Sequence, residues 1–293
     1  MLFDSHCHFT DEGFDGCRAE LAEAIRGSQL RFIADIGTDY DTSVAAVRAA
    51  QDYEFCYAVV GWHPSEVGRL TEEQLARTLA LLEQPKAVAI GEIGLDYHWE
   101  DNPPRDVQQF WFRRQLQEAL RLGRPVCIHS RDADGDTFDI LREEVFSKAG
   151  APGTAQNSGA PGAGQNSDAT GADPQKDCTA ISSAKVLLHC YSGSAEMAKQ
   201  YVKLGAKISI AGPVTYKNAR KTVEVVKALD LKDLLIETDS PYLAPVPMRG
   251  KQNTPLYVEY VARRIAEIKG VSYEEVAEAT FRNACQFYGI SMA

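Results

Sequence analysis

Near its N-terminus the chain reads LFDSHCHF (Leu2–Phe9), with His6 and His8 two residues apart and Asp4 beside them. Side chains alternate along an extended strand, so both imidazoles project to one side and Cys7 to the other. Imidazole nitrogens gathered with carboxylate oxygens suit a divalent cation. A lone HxH carries little weight, because such pairs also arise by accident in cores and on surfaces. The other unusual polar residues supply the weight. His63 lies in GWHP, Glu92 in GEIGLDY, His129 in CIHSRDA, His189 in LLHCYSG and Asp239 in ETDSPY. Each stands at the end of a short apolar run, and five of the six histidines are placed this way, with His98 close by. Cys127, two residues before His129, reads as core filling, since nothing else suggests a soft ligand.

The apolar runs are Leu2–Ser5, Leu30–Ile36, Phe55–Val60, Ala87–Ile90, Val126–Ile128, Val186–Leu188, Ala206–Ile210 and Leu234–Ile236. They are hydrophobic throughout, as strands buried on both faces should be. Amphipathic segments alternate with them. TEEQLARTLALLE opens at Thr71 with a capping box to Gln74, and Pro104 stands at the start of the segment PRDVQQFWFRRQLQEALRL. Two more helical segments, Leu256–Lys269 and Tyr273–Tyr288, follow the last strand. Eight strand-then-helix units predict a (β/α)8 TIM barrel, one domain over residues 1–293, with an open doubly wound sheet as the alternative. In such a barrel the C-terminal ends of the strands carry the chemistry, so the polar residues above would share one rim.

Residues 149–180 break the pattern, having no Ile, Leu, Val, Met, Phe, Tyr or Trp. GAPGTAQNS (Gly150–Ser158) is nearly repeated as GAPGAGQNS (Gly159–Ser167). Such composition buries nothing that could offset ordering entropy, which predicts a disordered low-complexity insert over 150–180. Its place between the fifth helix and the sixth strand puts it at the barrel end opposite the rim.

With 31 Lys and Arg against 41 Asp and Glu, the net charge is −10, which argues against a broad electrostatic footprint on nucleic acid but allows a small one. Seven cysteines without a CxxC pair suit reduced thiols rather than disulfides. No run approaches a membrane span, and no basic-then-apolar leader precedes His6. A protein of the cytoplasm, the nucleus or both is expected, without a membrane partner.

In order, FDSHCH, GWHP, GEIGLDY, IHSRDA, HCYSG, ETDSPYL and RGKQNTP resemble the successive motifs of the TatD-type deoxyribonucleases, a branch of the metal-dependent hydrolase barrels. The likeness spans the chain apart from the insert, and is greatest to the TatD paralogues of animals. It implies two divalent ions (zinc, magnesium or manganese), with His6, His8 and Asp239 at one, His129 and His189 at the other, and Glu92 bridging. Asp239 and Glu92 would be the catalytic pair, Asp239 taking the proton of the attacking water. His63, Arg131, Tyr191, Lys217, Arg249 and Asn253 match positions for substrate contact. For His63, phosphate binding, protonation of the leaving group and a structural role all stay open. Two positions depart from the pattern: His98 where Tyr or Phe is common, and Thr10 where an acidic residue or Asn is usual.

The expected function is metal-dependent hydrolysis of DNA phosphodiester bonds by a monomer, at 3′ ends or apurinic sites. One alternative is a hydrolase of another small ester, lactone or amide on the same barrel. Another is a catalytically silent scaffold that keeps its metals for stability.

Overall fold

A strand with no polar face must be covered on both sides, and a parallel sheet wrapped by helices does this. The computed structural model describes residues 1–147 and 185–292. In it the apolar runs become β1 (Leu2–Cys7), β2 (Leu30–Ile36), β3 (Cys56–Val60), β4 (Ala87–Asp96), β5 (Val126–Arg131), β6 (Val186–Leu188), β7 (Lys207–Ile210) and β8 (Leu234–Ile236). They pair in parallel in chain order, β1 through β8. The end strands meet at a seam. Ser5 Oγ donates to the Ile236 carbonyl at 2.9 Å. The Asp239 N–H donates to the His6 carbonyl at 3.0 Å, and the His8 N–H to that of Ser240 at 2.8 Å. The eighth strand therefore returns to the first, and the sheet is a (β/α)8 TIM barrel, not an open one.

Outside it lie α1 (Arg18–Arg26), α2 (Tyr40–Asp52), α3 (Glu72–Ala80), α4 (Arg105–Leu122), α5 (Asp134–Leu141), α6 (Ala195–Lys203), α7 (Arg220–Ala228) and α8 (Val258–Lys269). The capping box at Thr71 and Gln74 forms as expected, while Pro104 stands at the N-cap of α4, just before its first turn. The last helix, α9 (Tyr273–Tyr288), has another task. Its Phe281, Cys285, Phe287 and Tyr288 pack with Phe3, Phe32, Cys127, Leu187 and Leu235, a buried cluster separate from the one beneath the other helices. Those strand residues alternate with Ile33, Ile128, Leu188 and Ile236 of the outer cluster. So α9 closes the bottom of the barrel, and Cys127 fills core there, its Sγ 3.2 Å from the Tyr288 hydroxyl.

The same alternation aims the rim residues. In β5 and β6 the inward phase passes from Cys127 and Leu187 to His129 and His189. In β4 a register shift lies between Ile90 and Ile93, which both face the helices. Gly91 and Glu92 occupy the intervening bulge, and such an irregularity re-aims a side chain. Three strands outlast their apolar runs: β1 reaches Cys7, β4 Asp96 and β5 Arg131. The ladder continues where the barrel lining turns polar, so His6, Glu92 and His129 sit within strands and not in the loops after them. The insert expected over 150–180 lies outside the described residues.

Candidate metal centre

Glu92 is buried, and its two oxygens face different ways. Oε2 lies 3.4 Å from His6 Nε2 and 3.9 Å from His8 Nε2. Oε1 lies 2.6 Å from His189 Nε2, 2.7 Å from His129 Nδ1 and 3.8 Å from His63 Nε2. Asp239 Oδ1 joins the first set, 3.5 Å from His8 Nε2 and 3.8 Å from His6 Nε2. All six expected ligands thus converge, with Glu92 between two groups of imidazoles. Asp239 reaches its place through a left-handed backbone (φ 55°) fixed by its bond to the first strand; aspartate is among the few residues that tolerate this.

Protonation follows from this crowding. Burial alone would raise the Glu92 carboxyl, but His189, His6 and His63 outweigh it and hold it well below its ordinary value. Burial opposes the shift at Asp239 too, yet its bond to His8 and the nearby His6 and His189 lower it. The imidazoles move the other way. Against the burial penalty, Asp239 and Glu92 raise His8 to about 9. Glu92 and Glu237 raise His189 well above its usual range despite its burial. His129 also rises against burial, chiefly through Asp96 and Glu92. The pocket therefore needs positive charge to hold its carboxylates, and protons supply it in the metal-free chain.

His6 departs from its neighbours. Burial and His189 push it down, and both of its ring nitrogens are buried without a hydrogen-bond partner, as is His189 Nδ1. Buried polar atoms left so are rare. A cation taking nitrogen and carboxylate ligands would satisfy one ring nitrogen of His6, and four overlapping groups here could hold one, among them His6–His8–Glu92 and Glu92–His129–His189. His8 is already oriented as a ligand: Nδ1 faces the Ile36 carbonyl at 3.0 Å, which leaves Nε2 for the site.

The site opens into a cavity of about 580 Å³, walled by His63, Thr10, Asp11, Glu12, Asp15 and Tyr242 among others. His63 is pushed down to about 3 by burial and His129. Its Nδ1 accepts from the Ser65 N–H at 3.2 Å, so the single proton of the neutral ring belongs on Nε2, toward the metal groups. The other residues expected to touch substrate do not line this cavity. Arg131 stands 5.4 Å from the Trp99 ring centre, and Arg249 is 4.2 Å above the Tyr216 ring. Lys217 belongs to a separate groove between α7 and α8. Tyr191 is buried, its hydroxyl donating to the Ser194 carbonyl at 3.0 Å. Asn253 is also buried, its amide donating to the Thr238 and Tyr242 carbonyls at 2.8 and 2.5 Å. Both side chains spend these donors internally, and Asn253 holds the backbone on either side of Asp239. His98 pairs with Asp132 at 2.8 Å, and the Thr10 N–H donates to Asp35 at 3.3 Å.

Residues 3–289 match the model of a family described as TatD related DNase. The chain is 39% identical over 291 residues to the uncharacterized metal-dependent hydrolase YabD of Bacillus subtilis, covering 99% of this chain and 100% of that one. The chain belongs to the TatD family. A second member, the uncharacterized metal-dependent hydrolase TatD of Mycobacterium tuberculosis, is 31% identical, with 99% of this chain and 98% of that one covered. Among solved structures, the TatD homologue YJJV of Escherichia coli superposes with a TM-score of 0.81 at 26% identity, covering 99% of this chain and 98% of that one. The protein is thus a metal-dependent hydrolase of the TatD family.

Two acidic residues of this TatD centre escape the motif reading. Glu237 is buried behind His189, its Oε1 3.4 Å from Nδ1 and accepting from the Cys190 N–H at 2.6 Å. Asp96 lies 3.3 Å from His129 Nε2. Gln108 of α4 holds Asp96 by its backbone, accepting from the N–H at 2.9 Å and donating to the carbonyl at 3.0 Å. A signal for Glu237 exists in the sequence. In LLIETD it falls on the inward phase that carries His129 and His189 in their own strands.

Proposed function

We propose that this chain is a deoxyribonuclease hydrolysing DNA phosphodiester bonds at two divalent ions, one on each side of Glu92. The division of the Glu92 oxygens between two imidazole groups carries the reading. His6, His8 and Asp239 would hold one ion and His129 with His189 the other; these imidazole and carboxylate donors suit zinc, while phosphoryl chemistry often uses magnesium or manganese. Such ions would neutralise the phosphodiester, polarise its phosphoryl oxygen and lower the pKa of an attacking water.

The chain's own groups do the rest. Asp239, ionised and at the cavity wall, accepts the proton of the water that adds to phosphorus. Glu92, its Oε1 2.6 Å from His189 and 2.7 Å from His129, would serve chiefly to hold the ions. His63, neutral with its proton on Nε2, donates a hydrogen bond to a phosphate oxygen. It is a poor acid at neutral pH, so the departing deoxyribose oxygen takes its proton from solvent. Asp96 and Glu237 hold His129 and His189 in orientation. The cavity has room for a nucleotide at a strand end or beside an apurinic site. A reducing compartment, cytosol or nucleus, fits the six free cysteines among the described residues.

The test is cleavage of oligonucleotides labelled at the 5′ or 3′ end by protein loaded with each metal in turn, alongside a lactone and an aryl phosphate. Release of labelled mononucleotides or of fragments at apurinic sites is expected. Turnover of the lactone alone would overturn the reading.

A further inference from the structure

The loops after β7 and β8 stand out by charge. Residues 212–223 and 240–258 contain Lys217, Arg220, Lys221, Arg249 and Lys251 and no Asp or Glu, in a chain of net charge −10. They form one surface. The Val246 N–H donates to Thr215 Oγ1 at 2.8 Å, and the Tyr216 hydroxyl to the Ala244 carbonyl at 3.0 Å. Beside them, between α7 and α8, runs a groove of about 560 Å³. Lys217, Arg220, Arg263 and Arg264 line it, with the rings of Tyr216 and Tyr260. Its one acid, Glu267, is paired with Arg264 at 2.8 Å. Among the described residues, Lys217 and Arg220 have no carboxylate partner. The loop after β8 separates this groove from the metal cavity: Tyr242 lines the cavity, and Val246 and Pro247 line the groove.

The neighbouring loop after β1 has the other sign, although it meets the β8 loop where the Tyr242 hydroxyl donates to Asp11 at 3.2 Å and the Gln252 amide to the Gly13 carbonyl at 2.7 Å. Its Asp11, Glu12 and Asp15 line the metal cavity. A phosphate chain engaged at the metals is repelled by that loop and drawn toward the acid-free loops.

We infer that the α7–α8 groove is a track for single-stranded DNA, so that the strand leaves the metal centre across the β8–α8 loop and away from the β1–α1 loop. The inference rests on the nuclease reading and gives the substrate its direction. Lys217 and Arg220 track the backbone beside Arg263 and Arg264, which are paired with Glu259 at 2.6 Å and Glu267 at 2.8 Å. Tyr260 and the face of Tyr216 away from Arg249 offer stacking surfaces for unpaired bases. Sequence-tolerant single-strand sites use this combination. A duplex would present its bases already stacked on one another, leaving the rings unused.

The test is fluorescence anisotropy of labelled oligothymidylates, a dinucleotide and a dodecamer, with chelator-treated full-length protein. The variant is Arg220→Glu with Arg264→Gln. Arg220 is the first residue of α7, where an acid favours the helix dipole, and a melting curve checks the fold. The native chain is expected to bind the dodecamer at least about tenfold more tightly than the dinucleotide. The folded variant should lose most of that gap, and its salt slope should fall by about two, one for each cation removed. Equal binding of both lengths by the native chain, or a full gap in the folded variant, would overturn the track. Hydrolysis of bis(p-nitrophenyl) phosphate by the metal-loaded native chain tests the reaction separately. If that and DNA cleavage are both absent, the nuclease reading fails; if either persists while the length effect does not, only the groove falls.

Discussion

Exchanging Glu92 for Gln would keep its shape and remove the charge that five imidazoles face. Elemental analysis of Glu92→Gln is expected to show metal lost from both groups together, with activity lost in parallel; loss from one alone would assign Glu92 to a single ion. Asp239→Asn should stay folded while turnover falls by about 10²–10⁴, the usual contribution of a positioned base, as steady-state kinetics would read. For Glu237→Gln, chelator competition should show metal affinity falling about 10–100-fold, because Glu237 only orients His189. The raised imidazoles also set a pH dependence. His8 moves from its ordinary 6.5 to about 9 on folding. Its contribution to the stability of the metal-free chain is complete below 6.5 and lost as pH rises toward 9. Melting of chelated protein should therefore fall across that window. Metal must displace these protons, so its apparent affinity should climb over the same range. The six converging side chains were legible because imidazole and carboxylate are conspicuous at the ends of apolar runs. The internal hydrogen bonds of Tyr191 and Asn253 were not legible, because a motif identifies a residue without saying where its donors go.

At the scale of elements, the strand pattern placed the ligands on one rim but ended β1, β4 and β5 too early. Hydrophobicity marks where a strand is buried between core and helices, and hydrogen bonding does not stop at that border. The β4 bulge was invisible for a related reason: Glu92 reads as the residue after Gly91 whether the ladder is regular or shifted. Gly94, two residues on, shows how tightly β4 and β5 approach. At φ 145° it adopts a backbone closed to other residues, and a Cβ there would collide with the His129 carbonyl oxygen. Gly94→Ala is therefore expected to lower the thermal midpoint and weaken metal retention at His129, both measurable on one purified sample.

Over the whole molecule, periodicity gave the eight repeating units and their order. Closure depended on bonds between residues at opposite extremes of that order, which no local pattern encodes. Thr238 Oγ1, for example, donates to Asp4 Oδ2 at 2.5 Å across 234 positions of sequence. The described residues stop at Ser147, after α5, and resume at Lys185, before β6. Removing residues 151–177, which contain no large apolar side chain, should leave the melting temperature and DNA cleavage unchanged; a loss of either would give that segment a part in the fold or the site.

The seam between β1 and β8 bears on how such a protein is made. A ribosome delivers His6 and His8 before either carboxylate that faces them, and Asp239 follows more than two hundred residues later. Until then the nascent chain holds histidines with no pocket, free to take up any stray ion weakly and release it. A product truncated before the eighth strand lacks both a ligand and the contact that shuts the barrel. Firm retention of metal would then distinguish finished molecules from fragments in a cell extract, before any catalytic assay is run.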